Sequence, residues 1–289
     1  MASLLRRSAS LLRVPWNELA FAVRSRVRWR RGCPAISGSG VDGQFGWLAG
    51  REREHASQLA ARFERELDPG TLRGAVSPLV FAENLALFER LGALTDGVAL
   101  AGDRIAAADV GCGAFGYAPA LQHWLARLGG GAPRPVRLRG IEIDGYGIYR
   151  DGHSRADHAE RHAALAGDGV SFEVADFVRL ELPPQDVVTM LFPFLSTYSL
   201  LQWGAPLHHL KPRRLLRRAV VSLRPGGLLV VVNQTKAESE RLADLLAGAP
   251  VKLVRRVPFA SRLVPYAERT GGRIGSLWRR EPGDAAATV

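Results

Sequence analysis

The chain has 289 residues, a length that suits one α/β domain with an added segment rather than two full domains. Apolar residues make up 47% and charged residues 23% of it, which is ordinary for a folded globular protein and argues against disorder. Cys33 and Cys112 are far apart and have no metal-ligand spacing around them, so neither a disulfide framework nor a zinc site is expected. No apolar run is long enough to span a bilayer, and we expect a cytoplasmic protein.

The net charge of +11 is concentrated near the two ends of the chain. Residues 1–31 hold eight Arg and one Glu, and residues 252–280 hold eight Lys or Arg and one Glu. The span between these segments is nearly neutral. The composition of residues 1–31 is typical of a basic amphipathic helix at a membrane or RNA surface, of an organelle transit peptide, or of a poorly ordered tail.

The pattern up to residue 104 is helical apart from one linker. Residues 34–45 are rich in Gly and Ser and predict that linker. Helices are predicted over 51–66 and 77–93, where apolar residues recur at three- and four-residue spacings; Ser77 and Pro78 make a favourable helix start. The predicted division is a basic extension and linker over 1–50, a helical cap over 51–100, and a catalytic domain over 101–289.

After residue 104, short apolar β-like runs alternate with helical stretches, which is typical of a parallel sheet built from βα units. The predicted strands are 105–110, 136–143, 170–174, 186–192, 227–233, 251–257 and 273–279. The predicted crossover helices are 117–128, 154–166, 212–223 and 236–247. These elements predict an α/β protein with a helical N-terminal extension.

A small apolar strand runs into a glycine-rich turn and a helix at 107–121 (AADVGCGAFGYAPAL). Gly111, Gly113 and Gly116 let the backbone come close to a ligand, and N–H groups of the turn and the helix start offer donors to it. The same spacing satisfies the dinucleotide fingerprint, which is a weak signal by itself. The turn therefore predicts a site for a nucleoside-bearing cofactor and leaves its identity open.

Two acidic residues near the turn bear on which cofactor binds there. Asp109 precedes the first glycine by two residues, where a carboxylate repels a pyrophosphate but can accept a bond relayed from the ammonium group of S-adenosylmethionine (SAM). Glu142 ends the second predicted strand, where a carboxylate can accept hydrogen bonds from both ribose hydroxyls of either cofactor. A Pro-Gly-Gly turn then leads into an apolar strand at 223–234. The charge of Asp109 favours SAM.

In this order the motifs resemble those of class I SAM-dependent methyltransferases, over residues 77–280. The resemblance implies a Rossmann-like, seven-stranded, mostly parallel sheet with helices on both faces and an antiparallel last strand. It implies that Asp176 binds the adenine amino group, with Phe177 as its stacking neighbour, and that the loop after the fourth strand faces the transferable methyl. The cofactor-binding residues predicted on this basis are Asp109, Gly111, Cys112, Gly113, Gly116, Glu142, Asp176, Phe177 and Phe192.

Two departures from the family's pattern bear on the reaction. The last glycine of the turn comes one residue later than is common, with Ala114 and Phe115 before it, which keeps the dinucleotide alternative open. Phe-Pro-Phe at 192–194 stands where enzymes that methylate adenine or glutamine amino groups carry Asn or Asp before Pro-Pro, so that subclass is disfavoured. No cysteine lies near this loop, which disfavours a cysteine nucleophile. We assign no catalytic residue.

Two pairs of histidines have more than one interpretation. His158 and His162 are four residues apart on a predicted helix, and without an identifiable third ligand a solvated face is favoured over a metal pair. We therefore predict no metal. His208 and His209 follow the fourth strand, where substrate-facing groups belong in this fold, so a catalytic base from this pair is possible but unassigned.

Three functions fit these observations. Methylation of an O or N atom of a small-molecule acceptor fits the nearly neutral central span. An RNA methyltransferase would use the basic termini as phosphate contacts. The alternative outside methyl transfer is an NAD-dependent oxidoreductase or a noncatalytic nucleotide-binding module.

Overall fold

The computed structural model describes residues 2–35, 45–66 and 71–282. Its centre is a seven-stranded sheet with the order β3-β2-β1-β4-β5-β7-β6. Strands β1 to β5 run parallel to one another, whereas β7 is antiparallel to both β5 and β6. The predicted Rossmann-like sheet with one antiparallel strand is thus confirmed. Strands β1 to β7 are Ile105–Val110, Val136–Glu142, Val170–Val174, Gln185–Leu191, Leu223–Asn233, Val251–Pro258 and Ile274–Arg280.

The helices agree closely with the predicted ones. The four crossover helices α5, α6, α8 and α9 each begin and end within one residue of their predicted bounds, and α2 and α4 are also present. Two short helices, α3 and α7, were not predicted, because five and seven residues are too few to show a helical period. Helices α1 to α9 are Ala2–Val27, Gly50–Glu66, Thr71–Ala75, Pro78–Thr95, Ala118–Arg127, Arg155–Ala166, Thr197–Trp203, Pro212–Ser222 and Lys236–Leu246.

Strand β5 begins four residues before its predicted start. Leu223 already pairs with Gln185 of β4, and regular pairing resumes only at Leu228, opposite Val187. The Pro-Gly-Gly turn lies between these two pairings as an irregularity within the strand, with Gly226 at a φ of 79°. The turn therefore reshapes the strand instead of preceding it.

Both faces of the sheet are covered, which explains the continuous apolar runs of the parallel strands. In β5, Val230 packs in the cluster that contains α2, α4 and α5, whereas Val231 packs in the cluster beneath α8 and α9. Phe63 of α2 and Phe81 of α4 are fully buried in the first cluster. The predicted helical cap thus shares a core with the sheet.

The N-terminal segment is a docked helix, so its interpretation as a poorly ordered tail is wrong for the described residues. Helix α1 packs on α7, and the buried amide of Asn17 donates to the carbonyls of Leu201 and Ala205 at 3.1 and 3.3 Å. Within the described ranges, no helix is both long enough and apolar enough to cross a membrane. Most of the predicted linker, residues 36–44, lies outside the described residues.

The topology predicts where a ligand binds. The sheet order turns back between β1 and β4, since β2 and β3 lie on one side of this pair and β5 on the other. In open α/β sheets, ligands bind at the carboxyl ends of the strands beside such a reversal. The glycine turn follows β1 and the Phe-Pro-Phe loop follows β4. Both motifs therefore lie at the carboxyl ends of the two strands beside the reversal.

Candidate cofactor and acceptor site

A cavity of about 830 Å³ opens at the carboxyl edge of the sheet. Its walls come from the glycine turn, the ends of β2 and β4, the segment after β3, one face of α4, helix α7 and residues 259–273. Eight of the nine predicted cofactor residues line it. These are Gly111, Cys112, Gly113, Gly116, Glu142, Asp176, Phe177 and Phe192.

The glycine turn is folded back onto the end of β2. Gly111 and Gly113 have φ values of 76° and 59°, in the left-handed region that favours glycine. The N–H of Gly111 donates to the carbonyl of Ile141 at 2.8 Å, and the N–H of Gly113 donates to Oε2 of Glu142 at 2.8 Å. The turn and the acidic strand end therefore form one wall of a shared cleft.

Glu142 is almost fully buried, yet it retains acceptor capacity. Its Oε1 accepts from the N–H of Asp144 at 2.9 Å, and Nη1 of Arg155 lies 3.8 Å from the same oxygen. An ionised carboxylate offers about four acceptor positions, and backbone groups occupy two of them. The free positions can accept from a pair of hydroxyls in the cavity.

Phe115 explains why the last glycine of the turn is displaced by one residue. Its φ of 55° is unusual for a bulky side chain, and its ring is completely buried. The ring packs directly over the backbone of Gly140 in β2, where an added Cβ would lie 2.6 Å from Cε1 of the ring. The extra residue therefore inserts an aromatic ring between the turn and the sheet.

Gly140→Ala is expected to lower the free energy of unfolding by about 1 to 3 kcal/mol, since the added methyl overpacks the contact with Phe115. Chemical denaturation with urea measures this change. Gly92→Ala is the matched control: Gly92 lies in α4 with open space around its Cα, so alanine there should be neutral or stabilising. Equal stabilities of the two variants would contradict the packing of Phe115 described here.

Asp109 does not reach the cavity. It is fully buried beneath the glycine turn, where its carboxylate accepts from the hydroxyls of Tyr117 at 2.8 Å and Thr189 at 2.5 Å. Burial raises the pKa of Asp109 to about 6, against the lowering effect of these two bonds. Because Tyr117 lines the cavity, any contact between Asp109 and a cofactor must be relayed.

Asp176 and Phe177 lie side by side after β3. Oδ1 of Asp176 accepts from the N–H of Val178 at 3.0 Å, a local turn that leaves part of the carboxylate facing the cavity. Phe177 is 4% exposed and packs mainly in the core beneath α8. The pair is therefore placed as predicted, with Phe177 as a wall of the cavity more than a free stacking surface.

Cys112 is 2% exposed, and burial raises the pKa of its thiol well above the ordinary value. A thiol held neutral in this way is a poor nucleophile. The position suits a small packed side chain in the turn.

A chain of contacts that the sequence did not reveal connects α1 to the glycine turn. Arg24 of α1 binds the buried carboxylate of Asp144 through two bonds of 3.1 and 2.9 Å. Arg155 donates to the carbonyl of Asp144 at 2.7 Å, and its guanidinium lies 4.7 Å from the ring centre of Trp203. The Trp203 ring in turn covers Gly113, 3.7 Å from where its Cβ would be. The N-terminal helix thereby braces one end of the cavity.

His162 is not part of the solvated face that the sequence favoured. Its Nδ1–H donates to the carbonyl of Ala114 in the glycine turn at 2.8 Å, and burial lowers its pKa. His158 instead lies 2.9 Å from Asp151, which His153 also approaches at 3.4 Å. These three side chains form a cluster outside the cavity, and their nitrogen and oxygen atoms lie close enough together to hold a metal ion.

His209 is the histidine of its pair that lines the cavity. Burial, followed by the neighbouring His208, lowers the pKa of His209 to about 4. The ring is therefore neutral near pH 7. Phe21 of α1 packs edge-on against it at 4.9 Å between ring centres, and His208 lies 3.2 Å from Glu18.

The other end of the cavity holds a group that sequence analysis missed. The hydroxyl of Tyr266 donates to Glu83 of α4, and burial together with this carboxylate raises the pKa of Tyr266. The guanidinium of Arg273 lies 4.7 Å from the ring centre of Phe192 and 5.9 Å from that of Tyr266. Phe192 itself has a φ of 62°, a strained conformation of the kind that clusters at functional sites.

A comparison with solved structures finds distant similarities. TrmN from Thermus thermophilus is similar, with 18% identity and a TM-score of 0.46, over 76% of this chain and 53% of that one, so the chain spans about half of TrmN. N-methyltransferase NodS from Bradyrhizobium japonicum WM9, solved with S-adenosyl-L-homocysteine, shows 16% identity and a TM-score of 0.45, over 78% of this chain and 99% of NodS. The [4+2]-cyclase SpnF shows 14% identity and a TM-score of 0.48, over 88% of this chain and 100% of SpnF.

No protein-family model matches the sequence, and no curated protein matches it either. Identities of this size concern the fold alone. The seven-stranded sheet with its antiparallel strand is the one that the resemblance in the sequence implies. Because a fold does not determine a function, the activity must be argued from the site.

Proposed function

We propose that the protein is a SAM-dependent methyltransferase that acts on an O or N atom of a small-molecule acceptor. The observation that carries this proposal is the cleft that the glycine turn and Glu142 share. A hydrogen bond of 2.8 Å from the N–H of Gly113 joins the turn to the Glu142 carboxylate. This cleft suits a nucleoside. The glycine turn has no side chains to obstruct it, the carboxylate of Glu142 suits the ribose, and the carboxylate of Asp176 suits the adenine.

Each residue of the cleft has a distinct part in this proposal. Glu142 accepts from the two ribose hydroxyls, Asp176 accepts from the adenine amino group, and the glycine turn lets the nucleoside approach the backbone. Asp109 fixes Tyr117, through which its negative charge can act on a cationic methionine moiety. The sulfonium of SAM supplies an electrophilic methyl, and the protein must align the acceptor with it in a dry pocket.

The acceptor end of the cavity supports a small molecule of mixed character. Its walls include the aromatic rings of Phe192, Phe194 and Phe259, and two charged groups, Glu83 and Arg273, face the same space. Apolar walls with a few placed polar groups are typical of small-molecule sites. Helix α4 closes one side of this space.

The basic segment 252–280 gives little support to the RNA alternative. Guanidinium groups of this segment are committed to the protein's own backbone: Arg279 donates to Gly226 and Ala99, and Arg255 donates to Ala93 at 3.1 Å. Arg280 donates to Val221 at 3.1 Å. Because these side chains anchor strands to loops, much of the positive charge has a structural role.

Isothermal titration calorimetry should show binding of SAM to the full chain and no binding of NAD under the same conditions. The physical reason is the negative charge of Asp109 beneath the turn, which repels the pyrophosphate of NAD and suits a cationic cofactor. NAD binding without SAM binding would end the proposal and favour an oxidoreductase. RNA retention that falls steeply with added salt, together with methylation of RNA alone, would instead favour the RNA enzyme.

A further inference from the structure

Helix α1 is apolar on two different faces. One face packs on the body of the protein around the buried Asn17. The other carries Trp16, Leu19, Val23 and Val27, which we call the apolar stripe; their exposed fractions are 69%, 61%, 51% and 62%. Spacings of three and four residues place these side chains on one side of the helix.

The stripe is unnecessary for holding α1 in place. Asn17 and Arg24 already bind α1 to α7 and to the loop after β2. Single exposed apolar residues are ordinary, but a contiguous exposed row that includes a tryptophan is typical of a surface that meets a partner. The stripe therefore needs an explanation other than folding.

Positive charge surrounds the stripe. Arg26 and Arg28 are exposed near the carboxyl end of the helix, and Arg13, also exposed, donates to Gln202 of the body at 2.7 Å. Residues 1–31 contain one acidic residue, Glu18, and its carboxylate lies 3.2 Å from His208 of the body. A helix with an apolar face, flanking arginines and an interfacial tryptophan matches the chemistry of an anionic lipid surface, with apolar side chains among the acyl chains and arginines at the headgroups.

We propose that the apolar stripe of α1 docks the protein on the surface of an anionic lipid bilayer, with the helix lying in the plane of that surface. Phosphate contacts with RNA would use the arginines but would leave Leu19, Val23 and Val27 without a partner. Pairing of the stripe with a second copy of the chain would bring two arginine-rich segments together, and their like charges oppose it.

Docking of this kind bears on the proposed active site. Helix α7, on which α1 packs, contributes Tyr198 and Trp203 to the cavity, and these rings are 59% and 44% exposed. The cavity would then lie one helix away from the bilayer. This consequence rests on the proposed function, whereas the docking itself does not.

The test is co-sedimentation of the full chain with two kinds of vesicle, phosphatidylcholine alone and phosphatidylcholine mixed with phosphatidylglycerol. The wild-type protein should sediment with the mixed vesicles and much less with the neutral ones, and added salt should weaken binding. The double variant Trp16→Ser, Val23→Ser should bind the mixed vesicles at least about tenfold more weakly, because it removes two apolar side chains that enter the bilayer on docking. Val221→Ser, Val254→Ser, two exposed positions elsewhere, is the matched control and should bind like the wild type.

Three results would overturn the proposal. The first is wild-type protein that stays in the supernatant with both kinds of vesicle. The second is equal vesicle binding by the stripe variant and the wild type. The third is a wild-type dimer in analytical ultracentrifugation that becomes a monomer in the stripe variant, without vesicle binding by either. SAM binding in the same samples shows whether the cofactor proposal stands, since the stripe lies outside the cavity.

Discussion

Glu142→Ala should weaken SAM binding by roughly a hundredfold or more, because two charge-assisted bonds to the ribose are lost, each worth about 1.5 to 3 kcal/mol. The substitution also frees the N–H of Gly113, which Glu142 holds at 2.8 Å, so the glycine turn loses its anchor. Isothermal titration calorimetry with SAM measures the effect. Glu142→Gln retains one carbonyl acceptor for Gly113 and should show a smaller loss.

Glu173→Ala is the control for this experiment. Glu173 lies in the neighbouring strand β3, partly exposed and 3.5 Å from Arg139, and does not line the cavity. This variant should bind SAM like the wild type. A folded Glu142→Ala protein with an affinity within about threefold of the wild type would contradict the role of Glu142.

Gly111→Ala should lower SAM affinity at least about tenfold, because the methyl group enters the space that the nucleoside needs. Gly111 has a φ of 76°, and no atom lies within 4 Å of an added Cβ, so the methyl faces the open cavity. The left-handed backbone should also cost about 1 to 2 kcal/mol of stability in any residue with a Cβ. Calorimetry and urea denaturation measure the two effects separately.

Gly97→Ala separates strain from binding. Gly97 has nearly the same φ, 71°, with equally open space, but it lies in the connection between α4 and β1, outside the cavity. Both variants should lose similar stability, and Gly111→Ala alone should lose affinity. Equal SAM binding by the two variants would show that the glycine turn does not approach the cofactor.

The sheet was predictable because its strands are short, apolar and separated by helices of ordinary length. The antiparallel last strand was a consequence of the family resemblance and could not be read from periodicity. Helix α7 escaped prediction because a seven-residue helix has no visible period, although Ser196 and Gly204 mark its ends. The helical state of α1 was one of several interpretations, and its docking depends on tertiary contacts such as that of Asn17.

That most of the predicted cofactor residues would lie together was predictable, because they follow strands whose carboxyl ends meet. The burial of Asp109 by its hydrogen bonds to Tyr117 and Thr189 could not be read from the sequence, although the relayed contact predicted for Asp109 is compatible with Tyr117 at the cavity wall. Pairs that are distant in sequence could not be predicted. Arg24 meets Asp144 only because α1 docks, and Tyr266 meets Glu83 only because the segment before β7 returns to α4.

The most direct test of the account is a crystal structure of the full chain soaked with S-adenosylhomocysteine. The account predicts that both ribose hydroxyls lie within hydrogen-bond distance of the Glu142 carboxylate and that the adenine lies beside Asp176 and Phe177. Density for the nucleoside at another place, or a ribose that turns away from Glu142, would contradict it.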